Sequence, residues 1–278
     1  MNNMKLMYIT NRPEVAVIAE RNGVDRIFVD MEYIGKDLRQ GGMDTVQSRH
    51  TIEDITALRS VVKKAELLVR CNPIHEATEQ YCSTKEEIDK IVAAGADIIM
   101  LPFFKTVQEV KTFINAVDGR TKTMLLFETP DSYKNADEIL EIEGIDEVYI
   151  GLNDMSLGFG KKFMFELLAD GTVEDLCQKF RNKGYPFGFG GIAVPGGNVP
   201  LPAERILKEH YRLGSSCVIL SRSFCNVDKT PYKELDNCFR DGVNKIRAEE
   251  IICKNHPELI MLNQAEVTEI IKSIVGDN

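Results

Sequence analysis

The sequence predicts an α/β chain folded as a (β/α)8 barrel, a TIM barrel, with additional C-terminal helices. Three observations predict it. Eight short apolar runs rich in Val, Ile and Phe recur up to Leu220, each too short for a buried helix. Segments of helical period separate them, and several of these end on glycine just before the next apolar run. Eight alternating units favour a closed parallel barrel over an open doubly wound sheet, which would produce the same alternation.

In chain order, the strand-like runs are residues 6–9, 26–29, 66–69, 97–101, 123–127, 147–150, 187–193 and 217–220. The helical segments are 14–21, 51–64, 85–94, 107–116, 137–142, 173–183 and 203–213. Glycine marks the helix-to-strand joint at Gly23, Gly95, Gly184 and Gly214, and in two of these joints the pattern is Gly-x-Asp. No Gly-x-Gly-x-x-Gly follows the first strand, which argues against a dinucleotide-binding sheet. Two further helices, 232–254 and 264–275, flank Asn255-His256-Pro257. A barrel domain over 1–228 and a helical extension over 229–278, packed on the barrel or on a neighbouring subunit, account for all 278 residues.

A formal charge of -9 argues against nucleic acid as the main ligand, since phosphate backbones demand clustered Lys and Arg. The seven cysteines are scattered and never spaced C-x-x-C, which suits neither a disulfide framework nor a zinc knuckle and points to a reducing compartment. No apolar stretch approaches 18 residues, and Met1 to Thr10 lacks a cleavage site, so the expectation is a cytoplasmic protein without a membrane anchor.

In a barrel of this kind the chemistry lies at the C-terminal ends of the strands. Those ends read Asp30-Met31-Glu32-Tyr33, Arg70-Cys71-Asn72-Pro73, Glu128-Thr129, Gly151-Leu152-Asn153-Asp154 and Ser221-Arg222-Ser223. Glu128 and Asp154 leave adjacent strands and supply the oxygen ligands that a hard cation such as Mg2+ or Mn2+ takes, although both positions also suit helix capping. Arg70 ends an apolar strand, so its guanidinium suits a carboxylate or developing enolate at the barrel mouth, or an ion pair with Glu32. The glycine-rich segment 188–198 could cradle an anion with its amides, but a lid or turn is the simpler reading. His50 and His75 lie on loops near the mouth, and His210 and His256 have weaker claims to a role.

The block Phe127-Glu128-Thr129, then Glu143-Gly144-Ile145-Asp146 and Ile150-Gly151-Leu152-Asn153-Asp154-Met155-Ser156, resembles the HpcH/HpaI aldolase and citrate lyase family. Val29-Asp30-Met31-Glu32 and Val69-Arg70 match its other two motifs in order. The resemblance implies that Glu128 and Asp154 ligate Mg2+ or Mn2+, that Arg70 contacts a 2-oxo acid, and that amides near Gly151 and Asn153 receive its carboxylate. It also implies a homo-oligomer. The aldolase branch carries Asp-x-Glu-His, whose histidine transfers protons. Here Tyr33 stands at that position beside Glu32, and Ser83-Thr84-Lys85 replaces the branch's Asn-Asp-Pro. The citrate lyase branch shares the Arg-x-Asn-Pro of Arg70 to Pro73 and the long polar loop 35–50.

The expectation is therefore a metal-dependent carbon-carbon lyase acting on pyruvate or a related 2-oxo acid through an enolate, with Arg70, Glu32 and Tyr33 as its catalytic group. The alternatives are an acyl-CoA lyase of the citrate lyase type and a barrel that binds metal and oxo acid without turnover.

Overall fold

A computed structural model describes residues 2–36 and 48–276. The strands β1 (Lys5–Ile9), β2 (Arg26–Asp30), β3 (Glu66–Arg70), β4 (Ile98–Leu101), β5 (Lys122–Phe127), β6 (Glu147–Ile150), β7 (Phe187–Ile192) and β8 (Cys217–Leu220) are parallel neighbours in chain order, and β8 pairs with β1 to close the barrel. Most of the loop that resembles the citrate lyase branch, residues 37–47, lies outside the described residues.

Side chains alternate across the strands and build two cores. Met7, Phe28, Leu68, Met100, Met124, Leu126 and Tyr149 fill the barrel interior, while a larger cluster including Val29, Val69, Leu125 and Ile150 packs the strands against the helices. Those helices include α1 (Pro13–Arg21), α2 (Ile52–Val61), α3 (Thr84–Ala93), α4 (Val107–Val117), α5 (Pro130–Lys134) and α6 (Ala136–Ile139). They continue with α7 (Leu152–Gly158), α8 (Glu166–Ala169), α9 (Thr172–Lys183) and α10 (Ala203–Leu213). Thr51, Ser83 and Thr106 cap α2, α3 and α4 as capping boxes with Asp54, Glu86 and Glu109. At the ends of α9 and α10, Gly184 and Gly214 take the left-handed conformation at φ 76° and 80° that stops the helix and turns the chain into the next strand.

The Gly-x-Asp joints brace the lower rim. Asp25, Asp97 and Asp146 each accept the first free strand amide of a preceding strand, from Leu6 (2.8 Å), Leu67 (2.7 Å) and Thr123 (2.8 Å). Above these braces Arg26, fully buried, closes the bottom of the barrel. It donates to both oxygens of Glu147 at 2.7 and 2.6 Å and to Glu66 at 2.8 Å.

After β8 the chain forms α11 (Tyr232–Asn255) and α12 (Pro257–Gly276). The second starts at Pro257, earlier than the apolar period suggests, because proline suits the first helical turn. Buried Asn263 fastens α12 to α10, donating to the Arg205 carbonyl (2.9 Å) and Glu209 (2.8 Å).

Candidate active site

A cavity of about 240 Å³ opens at the C-terminal ends of the strands, lined by Lys36, Arg70, Glu128, Gly151, Asn153 and Asp154 over a floor that includes Phe28, Met100 and Tyr149. Five of the residues singled out in sequence meet here as lining groups: Arg70 from β3, Glu128 after β5, Gly151 after β6, and Asn153 and Asp154 from the first turn of α7.

Arg70 is set by its neighbours. Its guanidinium forms a two-pronged pair with Asp30, Nε to Oδ1 and Nη2 to Oδ2, both at 2.8 Å, and a third contact with Glu32 at 3.3 Å. Phe28 lies under it, with the guanidinium carbon 5.7 Å from the ring centroid. Burial disfavours the charge, yet the carboxylates of Asp30 and Glu32 hold Arg70 firmly protonated. Burial likewise opposes the Asp30 charge, and Arg70 and Lys36 overcome it, placing that carboxyl well below its ordinary range.

Lys36 was not foreseen. Six positions beyond the end of β2, its side chain folds back so that Nζ lies 3.1 Å from Asp30 and 3.5 Å from Glu32, and the residue is 4% exposed. No sequence motif marks it, because its place depends on a tight turn after β2, in which Gly35 takes φ 73° and the Lys36 amide donates to the Tyr33 carbonyl at 3.2 Å.

Glu128 is 3% and Asp154 8% exposed. The Phe103 amide donates to Glu128 at 2.9 Å, and Phe103 adopts a left-handed backbone at φ 50°, unusual for an aromatic residue, in delivering it. Gly151 is required for a different reason. A Cβ there would stand 2.7 Å from Glu128 Oε2 and 2.8 Å from its Cβ, so the glycine leaves room for the carboxylate. The Gly151 amide is already committed to the Phe127 carbonyl at 2.9 Å. It is therefore not available to a substrate carboxylate as the resemblance implies, and the amide side of that expectation falls on the first turn of α7 around Asn153.

Two carboxylates converging on one cavity, with open volume for waters and substrate oxygens, form the donor set that Mg2+ or Mn2+ accepts. Among the described residues no group of three or more His, Cys, Asp or Glu converges as a metal cage, so protein ligands would fill only part of the coordination shell.

Tyr33 is not brought together with Arg70, Glu128 and Asp154. Its ring is 41% exposed, packs on Tyr81 at 5.7 Å, and lines a neighbouring pocket of about 250 Å³ with His50, His75 and Glu87. The reason is local: the Tyr33 and Ile34 amides both donate to Asn72 Oδ1 at 3.0 Å, turning the chain away from the mouth. Asn72 in turn donates to Glu87, whose carboxyl burial pushes up, so the Arg-x-Asn-Pro stretch has a structural task here. Glu32, fully buried, sits behind Arg70 and Lys36 and does not line the cavity.

The loop histidines are likewise occupied. His50 Nδ1 accepts the Asp30 amide at 2.9 Å, and burial lowers its basicity. His75 holds the Pro73 and Cys82 carbonyls at 2.7 and 2.9 Å, while Thr84 bonds back to the His75 backbone. Buried His210 stacks on Phe189 at 3.8 Å, and exposed His256 pairs with Glu258. The first part of the glycine-rich segment, Gly188 to Ile192, is strand: Gly188 packs under the Cys217 carbonyl, with 2.2 Å to an added Cβ, and Gly190 and Gly191 line the cavity. Arg222, after β8, is exposed.

The sequence profile described as HpcH/HpaI aldolase/citrate lyase matches residues 5–166, more than half of the chain and every residue lining the mouth from β2 to α7. The chain belongs to this family. No curated protein sequence matches it. Among solved structures, an HpcH/HpaI aldolase from Desulfitobacterium hafniense DCB-2 superposes with a TM-score of 0.60 at 16% identity, covering 88% of this chain and 93% of its own. The citrate synthase SbnG gives a TM-score of 0.56 at 16% identity over 79% and 86%. An HpcH/HpaI aldolase/citrate lyase family protein from Burkholderia cenocepacia J2315 gives 0.58 at 11% identity over 88% and 95%. At these identities the superpositions show the shared fold. Family membership supports a lyase of aldolase type, and among the described residues no helix is long and apolar enough to cross a membrane.

Proposed function

We propose that the protein is a divalent-metal-dependent carbon-carbon lyase acting on pyruvate or a related 2-oxo acid. The observation that carries this reading is the convergence of Glu128, Asp154 and Arg70 on one cavity at the C-terminal end of the barrel. Glu128 and Asp154 would hold Mg2+ or Mn2+, which supplies Lewis-acid polarisation of an α-oxo carboxylate. Arg70, fixed by Asp30 and Glu32, presents a donor that is always protonated to the oxygen gaining charge as the enolate forms. The helix start at Asn153 orients the substrate carboxylate. The Phe28, Met100 and Leu126 floor excludes water beneath the reacting carbon and lowers the local dielectric in which these charges act.

Exchange of the pyruvate methyl protons for deuterium, followed by NMR with Mg2+ or Mn2+ present, tests the proposal. Metal-dependent exchange is expected, with loss of at least about a hundredfold in Glu128→Gln or Asp154→Asn. A folded protein that catalyses no exchange with either metal would rule the reading out.

A further inference from the structure

The charged groups of the cavity occupy one arc of its wall. Lys36 follows β2, Arg70 ends β3, Glu128 follows β5, and Asp154 stands in the first turn of the helix after β6. The arc over β7 and β8 is different. Among the described lining residues it offers Gly190, Gly191 and Ile219, flanked by Leu152 and by Met164 from the segment between α7 and α8. Of the three glycines in β7, two are required by the fold. A Cβ on Gly188 would stand 2.2 Å from the Cys217 carbonyl oxygen, and Gly190 combines φ 55° with a Cβ position 2.7 Å from Leu152. Gly191 has neither constraint. Its φ lies outside the left-handed region, and an added Cβ would meet the Ile219 carbonyl oxygen at 3.5 Å and the Ser221 Cβ at 3.8 Å, both ordinary contacts. The protein has room for a side chain at this point of the cavity wall, and the sequence leaves it bare.

We propose that Gly191 is the specificity-determining residue of this site, and that its bare backbone, with Ile219, Leu152 and Met164, forms a subsite for an uncharged aliphatic group on C4 of a 4-hydroxy-2-oxo acid. The inference rests on the oxo-acid reading proposed above, in which the carboxylate and 2-oxo oxygen are held at the charged arc and the rest of the carbon chain extends over β7 and β8. Cleavage breaks C3–C4. The bonding pair passes to C3 as the enolate, the hydroxyl O–H pair becomes the C4 carbonyl, and C4 departs as an aliphatic aldehyde. One proton is released from the hydroxyl and one returns to C3 to give pyruvate, so no oxidant, reductant or further reactant is consumed. An anionic group in the same place would lose its water beside apolar side chains, and among the described lining residues β7 and β8 supply no cation to pair with it. A hydrocarbon chain gains from that wall, by about 10- to 200-fold in kcat/KM for each methylene that fits.

The test measures kcat/KM for addition of pyruvate to acetaldehyde, butanal, hexanal, glyoxylate and succinic semialdehyde with Mn2+ bound, in wild type, Gly191→Ala and Met164→Ala. Oxalate binding, read by calorimetry, reports whether the oxo-acid end is assembled. Wild type is expected to favour butanal over acetaldehyde and over both anionic aldehydes by at least about tenfold. Gly191→Ala is expected to lower the butanal-to-acetaldehyde ratio by about 10- to 200-fold while oxalate binding stays within about fivefold. Met164→Ala widens the same subsite from a second wall and is expected to raise the hexanal-to-butanal ratio about tenfold, which carries the test even where the alanine at 191 disturbs folding. A wild-type preference for the anionic aldehydes would overturn the proposal. So would a Gly191→Ala ratio within about threefold of wild type, or a loss of oxalate binding as large as the loss with butanal. A wild-type protein that exchanges no pyruvate methyl protons with metal bound would overturn the oxo-acid reading itself, which separates the two failures.

Discussion

Arg26 at the bottom of the barrel and Arg70 at its mouth are each ion-paired to two carboxylates, and the contrast between them separates an enclosed from an open use of the same ion-pair chemistry. Arg26 closes the bottom: it is fully buried, paired to both oxygens of Glu147 and to Glu66, and Lys122 completes the cluster from outside at 2.8 Å from Glu66. Arg70 at the mouth has the same valence of partners, a two-pronged bond to Asp30 and a contact to Glu32, yet its side chain keeps 14% exposure toward an open cavity. What differs is the surplus. The lower cluster is enclosed by its own partners, whereas the upper one adds Lys36 and faces two further carboxylates across accessible volume.

The largest expected effect on stability breaks the lower cluster. Arg26→Met leaves Glu147 and Glu66 without their buried partner and should cost about 3–5 kcal/mol in urea unfolding. Arg70→Met should cost less, because water from the cavity can reach Asp30 and Glu32, but should abolish binding of oxalate. If the two variants lose equal stability and Arg70→Met still binds oxalate, the distinction between the two ends fails.

Acid unfolding sharpens the same comparison once His210 is accounted for. Buried against Phe189, its imidazole is pushed down to about 3, below its unfolded value near 6.5. The unfolded state thus binds a proton that the folded state refuses. The stability present above pH 6.5 is lost as pH falls toward 3, by about 3 kcal/mol at pH 4. Both clusters respond lower. Glu66, held at about 2 against its burial by Lys122 and Arg26, and Asp30, held lower still, lose stability only as pH falls below the ordinary carboxylate range. In His210→Phe the loss between pH 6 and 4 should shrink in a thermal-unfolding series, leaving the carboxylate limb.

Smaller effects belong to the mouth. Gly151→Ala places a methyl group against Glu128 and should weaken Mn2+ binding about tenfold while the barrel stays folded, as read by Mn2+ titration and circular dichroism. Tyr33→Phe, in the neighbouring pocket, should change pyruvate exchange by less than about twofold. A loss beyond tenfold would bring that pocket into the chemistry.

All eight strands were legible, since burial on both faces writes each as a short apolar run that no soluble loop would carry. Glu128, Asp154 and Arg70 were legible because polar residues ending such runs have few other reasons to be there. Helix ends were less so. The segment expected over 51–64 stops at Val61, because Glu20 accepts the amides of Lys63, Lys64 and Ala65 and draws the chain out of helical register. The placement of Tyr33 and Lys36 was hidden. The motif counts positions along the chain, whereas the Asn72 side chain decides which way the loop after β2 turns, and a residue 38 positions away leaves no local pattern.

The three aspartate braces of the lower rim carry a consequence for how the barrel assembles. Each spans a short loop in sequence, 19, 30 and 23 residues, so closing it costs little chain entropy and registers a strand against one made shortly before. The contact of β8 with β1 spans almost the whole barrel sequence, and it is sealed from outside by Tyr8 reaching the Cys225 carbonyl and by Met4 reaching Glu250 on α11. The braces thus favour local pairing of β1 with β2, β3 with β4 and β5 with β6, while the seam between β8 and β1 is the long-range closure that the helix α11 latches.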